Sequence, residues 1–158
     1  MTRPRPACPT CGRRLSARPA QSRLFDPEPA RTALQVRTPE DLAELLTPHL
    51  ADRDREHCLL AALDTKHRVL EVRTVSIGSV DHTFMEPREI FRDALLAGAA
   101  AVAVAHNHPS GDPAPSPEDR AVTRRIVRAG ETLGVPLVDH LIVGTTGRWR
   151  SMGRMGLL

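Results

Sequence analysis

Residues 100–119 read AAVAVAHNHPSGDPAPSPED, and the fold follows from the order of their parts. The opening run, Ala100 to Ala105, is short, wholly apolar and followed by turn formers at Pro109 and Gly111, which predicts a fully buried strand. The closing Ser116-Pro117-Glu118-Asp119 has the order of a helix start: a hydroxyl N-cap, a proline at the first helical position and acids in the first turn. Alternate residues of a strand point to one side, so His106 and His108, at the strand exit, can aim both imidazoles at one point. After a loop of seven residues the helix brings Asp119, able to add an oxygen ligand. Two neutral imidazoles and one carboxylate leave a fourth tetrahedral position for water, which is the pattern of a catalytic zinc site and not of a closed structural one. Each piece also has an ordinary reading. A His-x-His pair can be packing or surface histidine, and Ser116-x-x-Asp119 alone is a capping box. Their joint occurrence after a buried strand favours metal.

Working outward, Thr38-Pro39-Glu40-Asp41 repeats the helix-start pattern, and Leu42, Leu45 and Leu46 recur at helical spacing, predicting a helix from 39 to about 51. His57 to Leu63 and Val69 to Ile77 flank the polar Asp64-Thr65-Lys66-His67 and predict a hairpin. A second helix opens at Pro87-Arg88-Glu89 and runs to about Gly98, and the third ends near Gly134. Strands are expected from Leu137 to Val143 and from Arg148 to Met152. Helices and strands mix without strict alternation, so the expected class is α+β, a mixed β-sheet flanked by helices. Residues 1–36 hold six of the 14 prolines and show no period, which predicts a basic Pro/Arg-rich arm before a domain at 37–158.

With 158 residues and 41% hydrophobic content, one domain can bury an ordinary core without disulfides. Three Phe, one Trp and no Tyr make a poor surface for stacking nucleobases. The longest apolar run, Ala94 to Ala105, is 12 residues and contains Gly98, short of the roughly 20 needed to cross a bilayer, so no membrane span is expected. The N-terminal stretch lacks the apolar segment of a signal peptide, which predicts a cytoplasmic protein. The formal charge of +3 is uneven: residues 1–25 hold six arginines and no acid, whereas 16 basic and 19 acidic groups follow. Such an arm can bind nucleic-acid phosphates or be a solvated tail.

The string His-x-His, seven residues, Ser-x-x-Asp resembles the metal motif of the JAB/MPN (JAMM) zinc metalloprotease family, and HNHPSGDPAPSPED is similar to its RadC-like branch. The similarity runs from about Val36 to Met152 and includes Leu63-Asp64-Thr65-Lys66, Pro87-Arg88-Glu89 and Asp139-His140. It implies a JAB/MPN (cytidine deaminase-like) architecture and one catalytic zinc ion per chain on His106, His108 and Asp119. It also implies that Ser116 hydrogen-bonds near the metal and helps stabilise an oxyanion. A catalytic glutamate is implied at the start of the strand after the first helix, a place filled here by Glu56. A carboxylate there can take the proton of the attacking water and return it to a leaving amine. Read from its neighbours alone, Glu56 is a solvated charge beside Arg53 and Arg55. One departure is Glu86, where RadC-like sequences often carry His before Pro-Arg-Glu.

The resemblance thus implies hydrolysis of a peptide or isopeptide bond in a peptide or protein substrate. Two alternatives stay open. One is a nucleic-acid-associated protein, through the arm and the historical link of RadC-like proteins to DNA repair; the other is a metal-bearing scaffold without turnover, and an oligomer is compatible with each. Cys8-Pro9-Thr10-Cys11-Gly12 looks like one knuckle of a zinc ribbon, but a closed site needs four ligands and no second C-x-x-C exists. Cys58 lies in an expected buried strand. His140 is expected to be a neutral histidine in the core or lining the site, and Asp112 a turn residue. His49, His57, His67 and His82 have no ligand spacing. Arg120, Arg124 and Arg128 form one stripe on the third helix, either solvated or facing an acidic substrate.

Overall fold

In the computed structural model, residues 34–78 and 85–158 are described, and they fall within one unit, Ala33–Leu158. Cys8, Cys11, the arginine-rich arm and His82 lie outside the described residues. The elements in order are α1 (Pro39–Leu50), β1 (His57–Leu63), β2 (Val69–Ile77), α2 (Pro87–Leu96), β3 (Ala101–Asn107), α3 (Pro117–Leu133), β4 (Leu137–Val143) and β5 (Trp149–Ser151).

Local chemistry sets the ends of these elements. Thr38 caps α1 by accepting from the Asp41 amide, and the Asp41 carboxylate answers by accepting from the backbone of Thr38. In the β1–β2 hairpin the Asp64 carboxylate accepts from the amides of Lys66 and Arg68, folding the polar segment back on itself. Gly134 closes α3 in the left-handed region, at φ 69°, where a side chain is disfavoured.

The five strands form one mixed sheet in the order β2-β1-β3-β4-β5. β1 is antiparallel to both β2 and β3, β4 is parallel to β3, and β5 is antiparallel to β4. Helices cover both faces, which is why β1 and β3 are apolar at nearly every position and do not alternate. Leu42, Leu46 and Leu50 of α1 pack on Ala101, Ala103 and Ala105 on one face. Ile90 and Phe91 of α2 and Ile126 of α3 pack on Val102 and Val104 on the other. The alanines of β3 thus face α1, and the bulkier valines face the side on which His106 also lies. This is the expected mixed sheet flanked by helices.

β3 runs two residues past its apolar segment. His106 and Asn107 are buried, and they continue the ladder to Ile142 and Val143 of β4. Hydropathy loses the strand there because the two polar side chains have partners inside the protein.

The loop from Pro109 to Pro115 is seated by close backbone packing. A Cβ on Gly144 would sit inside contact distance of the Gly111 carbonyl oxygen and about as close as packing allows to Pro113 Cδ, 3.1 Å. Gly144→Ala is therefore expected to cost about 1–3 kcal/mol, as overpacking against backbone does. Urea unfolding of the variant beside wild type measures it.

Candidate metal centre

The centre lies at the carboxyl end of β3, where the chain leaves the sheet for α3, the usual place for a site in an open sheet flanked by helices. His106 Nε2 is 3.1 Å from Asp119 Oδ1, His108 Nε2 is 3.3 Å from Asp119 Oδ2, and the two Nε2 atoms are 3.1 Å apart. Atoms bound about 2.0–2.1 Å from a tetrahedral zinc stand roughly 3.3 Å from one another, so the spacing fits such an ion. Among the described residues these three form the group of His, Cys, Asp and Glu side chains able to hold a metal, with all ligand atoms within 4.8 Å.

Proton accounting makes the same point. His108 Nδ1 lies 2.8 Å from the Asp112 carbonyl oxygen. A carbonyl only accepts, so the proton of neutral His108 is on Nδ1 and its Nε2 presents a lone pair. The Asp119 carboxylate is likewise an acceptor. Neutral His108 Nε2 and the Asp119 carboxylate thus face each other as two acceptors, a pairing that a cation between them satisfies. The electrostatics agree: protonated His108 donates to Asp119, which raises its pKa against the opposing effect of burial, and the charge of Glu56 adds to the rise. Burial works against ionisation of Asp119, but the hydrogen bonds with His106 and His108 outweigh it and hold the carboxyl well below its usual range.

Asp119 is fixed from behind by Ser116. The Ser116 amide and hydroxyl both donate to Asp119 Oδ2, at 2.8 and 2.6 Å, and the Asp119 amide donates to Ser116 Oγ at 3.0 Å. One carboxylate thus closes the capping box and faces the two imidazoles at once. Asp119 Oδ1 is left to face His106.

Glu56 is half-buried and immediately precedes β1. Cys58 pairs with His106 in the antiparallel ladder, so counting back two residues sets Glu56 across from His108. Asn107 pins the backbone on both sides of Glu56: its Oδ1 accepts from the His57 amide at 2.8 Å, and its Nδ2 donates to the Arg55 carbonyl at 2.9 Å. The Glu56 carbonyl accepts from Gly78 at 2.8 Å. Spacing does not single out Asn107; its only signal is a polar residue between the two histidines at the end of an apolar strand.

His140 is fully buried on β4 and stands behind His106, with its Nε2 2.8 Å from His106 Nδ1. Burial pushes its pKa down to about 3, so it stays neutral. Its neighbour Asp139 accepts from the Ser151 hydroxyl and the Gly153 amide, tying β4 to the end of β5 and the chain after it. Asp112 builds a turn by accepting from the Ala114 amide. Cys58 is buried, and its thiol is pushed up to about 12 by desolvation, far from the thiolate that binds metal. Glu86 pairs with Arg125 at 2.8 Å, and Arg124 and Arg128 are exposed. His49 and His67 are exposed and outside the centre. No helix among the described residues is long and apolar enough to cross a membrane.

Known proteins resemble the chain across this whole region. The RadC-like JAB domain model matches residues 36–157. A UPF0758 protein of Desulforamulus reducens is 42% identical over 147 residues, covering 93% of this chain and 60% of that protein. A UPF0758 protein of Moorella thermoacetica is 47% identical over 123 residues, covering 78% of this chain and 53% of the relative. An archaeal counterpart in Methanococcoides burtonii is 40% identical over 135 residues, covering 85% and 57%. The chain therefore spans little more than half the length of the relatives it matches. On the match over residues 36–157 and on this fold, the chain belongs to the RadC-like JAB domain family.

Proposed function

We propose that the chain is a zinc-dependent hydrolase that cleaves an amide bond, in a peptide or a protein side-chain linkage, without a covalent intermediate. The observation that carries this reading is the convergence of His106 Nε2, His108 Nε2 and the Asp119 carboxylate, with all ligand atoms within 4.8 Å of one another. Two imidazoles and one carboxylate suit zinc and leave a coordination position free. The His108 side chain is 14% exposed, so the centre is reached from solvent on that side. A zinc ion held there supplies a Lewis acid and brings the pKa of water from about 15.7 to near 7.

The chain's own residues supply the rest. Glu56, set across from His108, accepts the proton of the attacking water and returns it to the leaving amine. Asn107 fixes the backbone that carries Glu56. Ser116 contacts the developing oxyanion when its hydroxyl turns from Asp119, whose carboxylate stays held by the Ser116 amide. The amide as substrate comes from the family's resemblance to JAMM metalloproteases; the ligand set alone supports metal-assisted hydrolysis.

The test is cleavage of a peptide library by the zinc-loaded chain, read by mass spectrometry, beside DNA and RNA substrates. New peptide termini at defined sequences are expected, with both nucleic acids intact. Nucleic-acid cleavage without peptide cleavage would reassign the substrate class.

A further inference from the structure

Behind the metal set runs a buried chain of hydrogen bonds that ends where it began. His106 Nδ1 lies 2.8 Å from His140 Nε2, His140 Nδ1 lies 2.7 Å from Thr123 Oγ1, and Thr123 Oγ1 lies 2.6 Å from the backbone carbonyl oxygen of Asp119. His106, Thr123 and His140 are all wholly buried, so no water competes for these contacts. The direction of every proton can be read from the far end. The Asp119 carbonyl only accepts, and at 2.6 Å it takes the single Thr123 hydroxyl proton in preference to the weak thioether acceptor Met152 Sδ at 3.3 Å. Thr123 Oγ1 must then accept from His140 Nδ1–H. Neutral His140 has its other nitrogen, Nε2, bare, and it accepts from His106 Nδ1–H. The reverse direction would leave two oxygens 2.6 Å apart with no proton between them.

We infer that His140 and Thr123 are positioning residues that fix the proton of His106 on Nδ1 and so present its Nε2 lone pair to the metal. The inference rests on the zinc reading of the centre. Its logic differs for the two histidines: His108 is set by the Asp112 carbonyl in the ligand loop, whereas His106 is set through two side chains whose last contact is the main chain of the third ligand, Asp119. The helix turn that delivers the carboxylate thereby also dictates the proton placement of the imidazole opposite it. Thr123 sits one turn after Asp119 on α3, so the ligand and the end of the relay cannot move independently.

Two measurements test it on the full chain. The first is imidazole ¹⁵N NMR of the wild-type protein. A proton on His106 Nδ1, with scalar coupling across the hydrogen bond to His140 Nε2, and a second proton on His140 Nδ1 are expected. A proton on His140 Nε2 instead would overturn the assignment. The second is zinc affinity by chelator competition, with thermal unfolding measured in parallel. His140→Leu and Thr123→Val remove the acceptor and the hydroxyl at similar volume and are expected to weaken zinc binding by about 10- to 100-fold, the usual effect of groups that orient a metal ligand. His140→Gln, whose amide offers an acceptor and a donor as the imidazole does, and Thr123→Ser are expected to recover most of that loss. Folded His140→Leu and Thr123→Val proteins that hold zinc as tightly as wild type would overturn the inference. Should either variant fail to fold, the wild-type spectrum decides. A wild-type chain that takes up no zinc would sink the zinc reading alone, since the proton positions are measurable without metal.

Discussion

Glu56→Gln is expected to keep zinc at the wild-type stoichiometry and to lower peptide turnover by roughly 10²- to 10⁴-fold, the range of a lost general acid-base group. Gln preserves the size and hydrogen-bonding reach of the side chain and removes its basicity. Extending the β1–β3 register two residues beyond Cys58 and His106 puts Glu56 across from His108, and its charge is felt by that imidazole. It is not part of the His106–His108–Asp119 group. The variant therefore separates three roles. A proton shuttle loses turnover alone, a fourth ligand loses zinc affinity, and a solvated charge beside Arg53 and Arg55 changes neither. Zinc content by elemental analysis and hydrolysis of any peptide the wild type cuts measure both quantities on one preparation.

Asp119→Ala is expected to strip the centre of metal and of activity together. Asp119 is the one anion of the proposed ligand set, and without it two imidazoles face each other across 3.1 Å. Loss of a direct ligand exceeds the about 10- to 100-fold that follows loss of a group merely supporting one. The same substitution removes half of the capping box on α3, which costs about 1 kcal/mol and leaves the fold standing. Asp119→Asn keeps the shape and part of the cap but not the charge, and is expected to resemble the alanine variant in metal binding. Zinc retained at one equivalent in Asp119→Ala and in His106→Ala, with Cys8 and Cys11 also replaced by Ser, would place the metal elsewhere.

What could be read from the sequence was local. The starts of α1 and α3 are written in Thr38-Pro39-Glu40-Asp41 and Ser116-Pro117-Glu118-Asp119, because a cap involves only residues three apart. His106 and His108 are two apart on one strand, so their shared direction follows from the strand period alone. For Ser116 and Asp119 the cap does not compete with a ligand role, since one carboxylate oxygen receives the Ser116 donors and the other faces His106.

The parts that spacing could not supply depend on contacts distant in sequence. Asn107 acts on residues 50 and 52 positions away, through a strand pairing that hydropathy does not specify. Thr123 reads as an ordinary helix residue until β4 lays His140 against it, 17 positions later. Glu56 is indistinguishable from its charged neighbours until the register of β1 against β3 sets it opposite His108. The sheet order β2-β1-β3-β4-β5 belongs to the same class, because it is decided by which long-range pairs bury both faces of β1 and β3.

The most direct measurement is a titration of the metal-free chain with zinc, with the rate of peptide cleavage followed at each addition. Cleavage is expected to be absent without zinc, to rise in proportion to the metal added, and to break at one equivalent per chain in a protein carrying Ser at positions 8 and 11. Cleavage by the metal-free chain, or none on any peptide with the His106–His108–Asp119 centre fully loaded, would contradict a metal-dependent amide hydrolase.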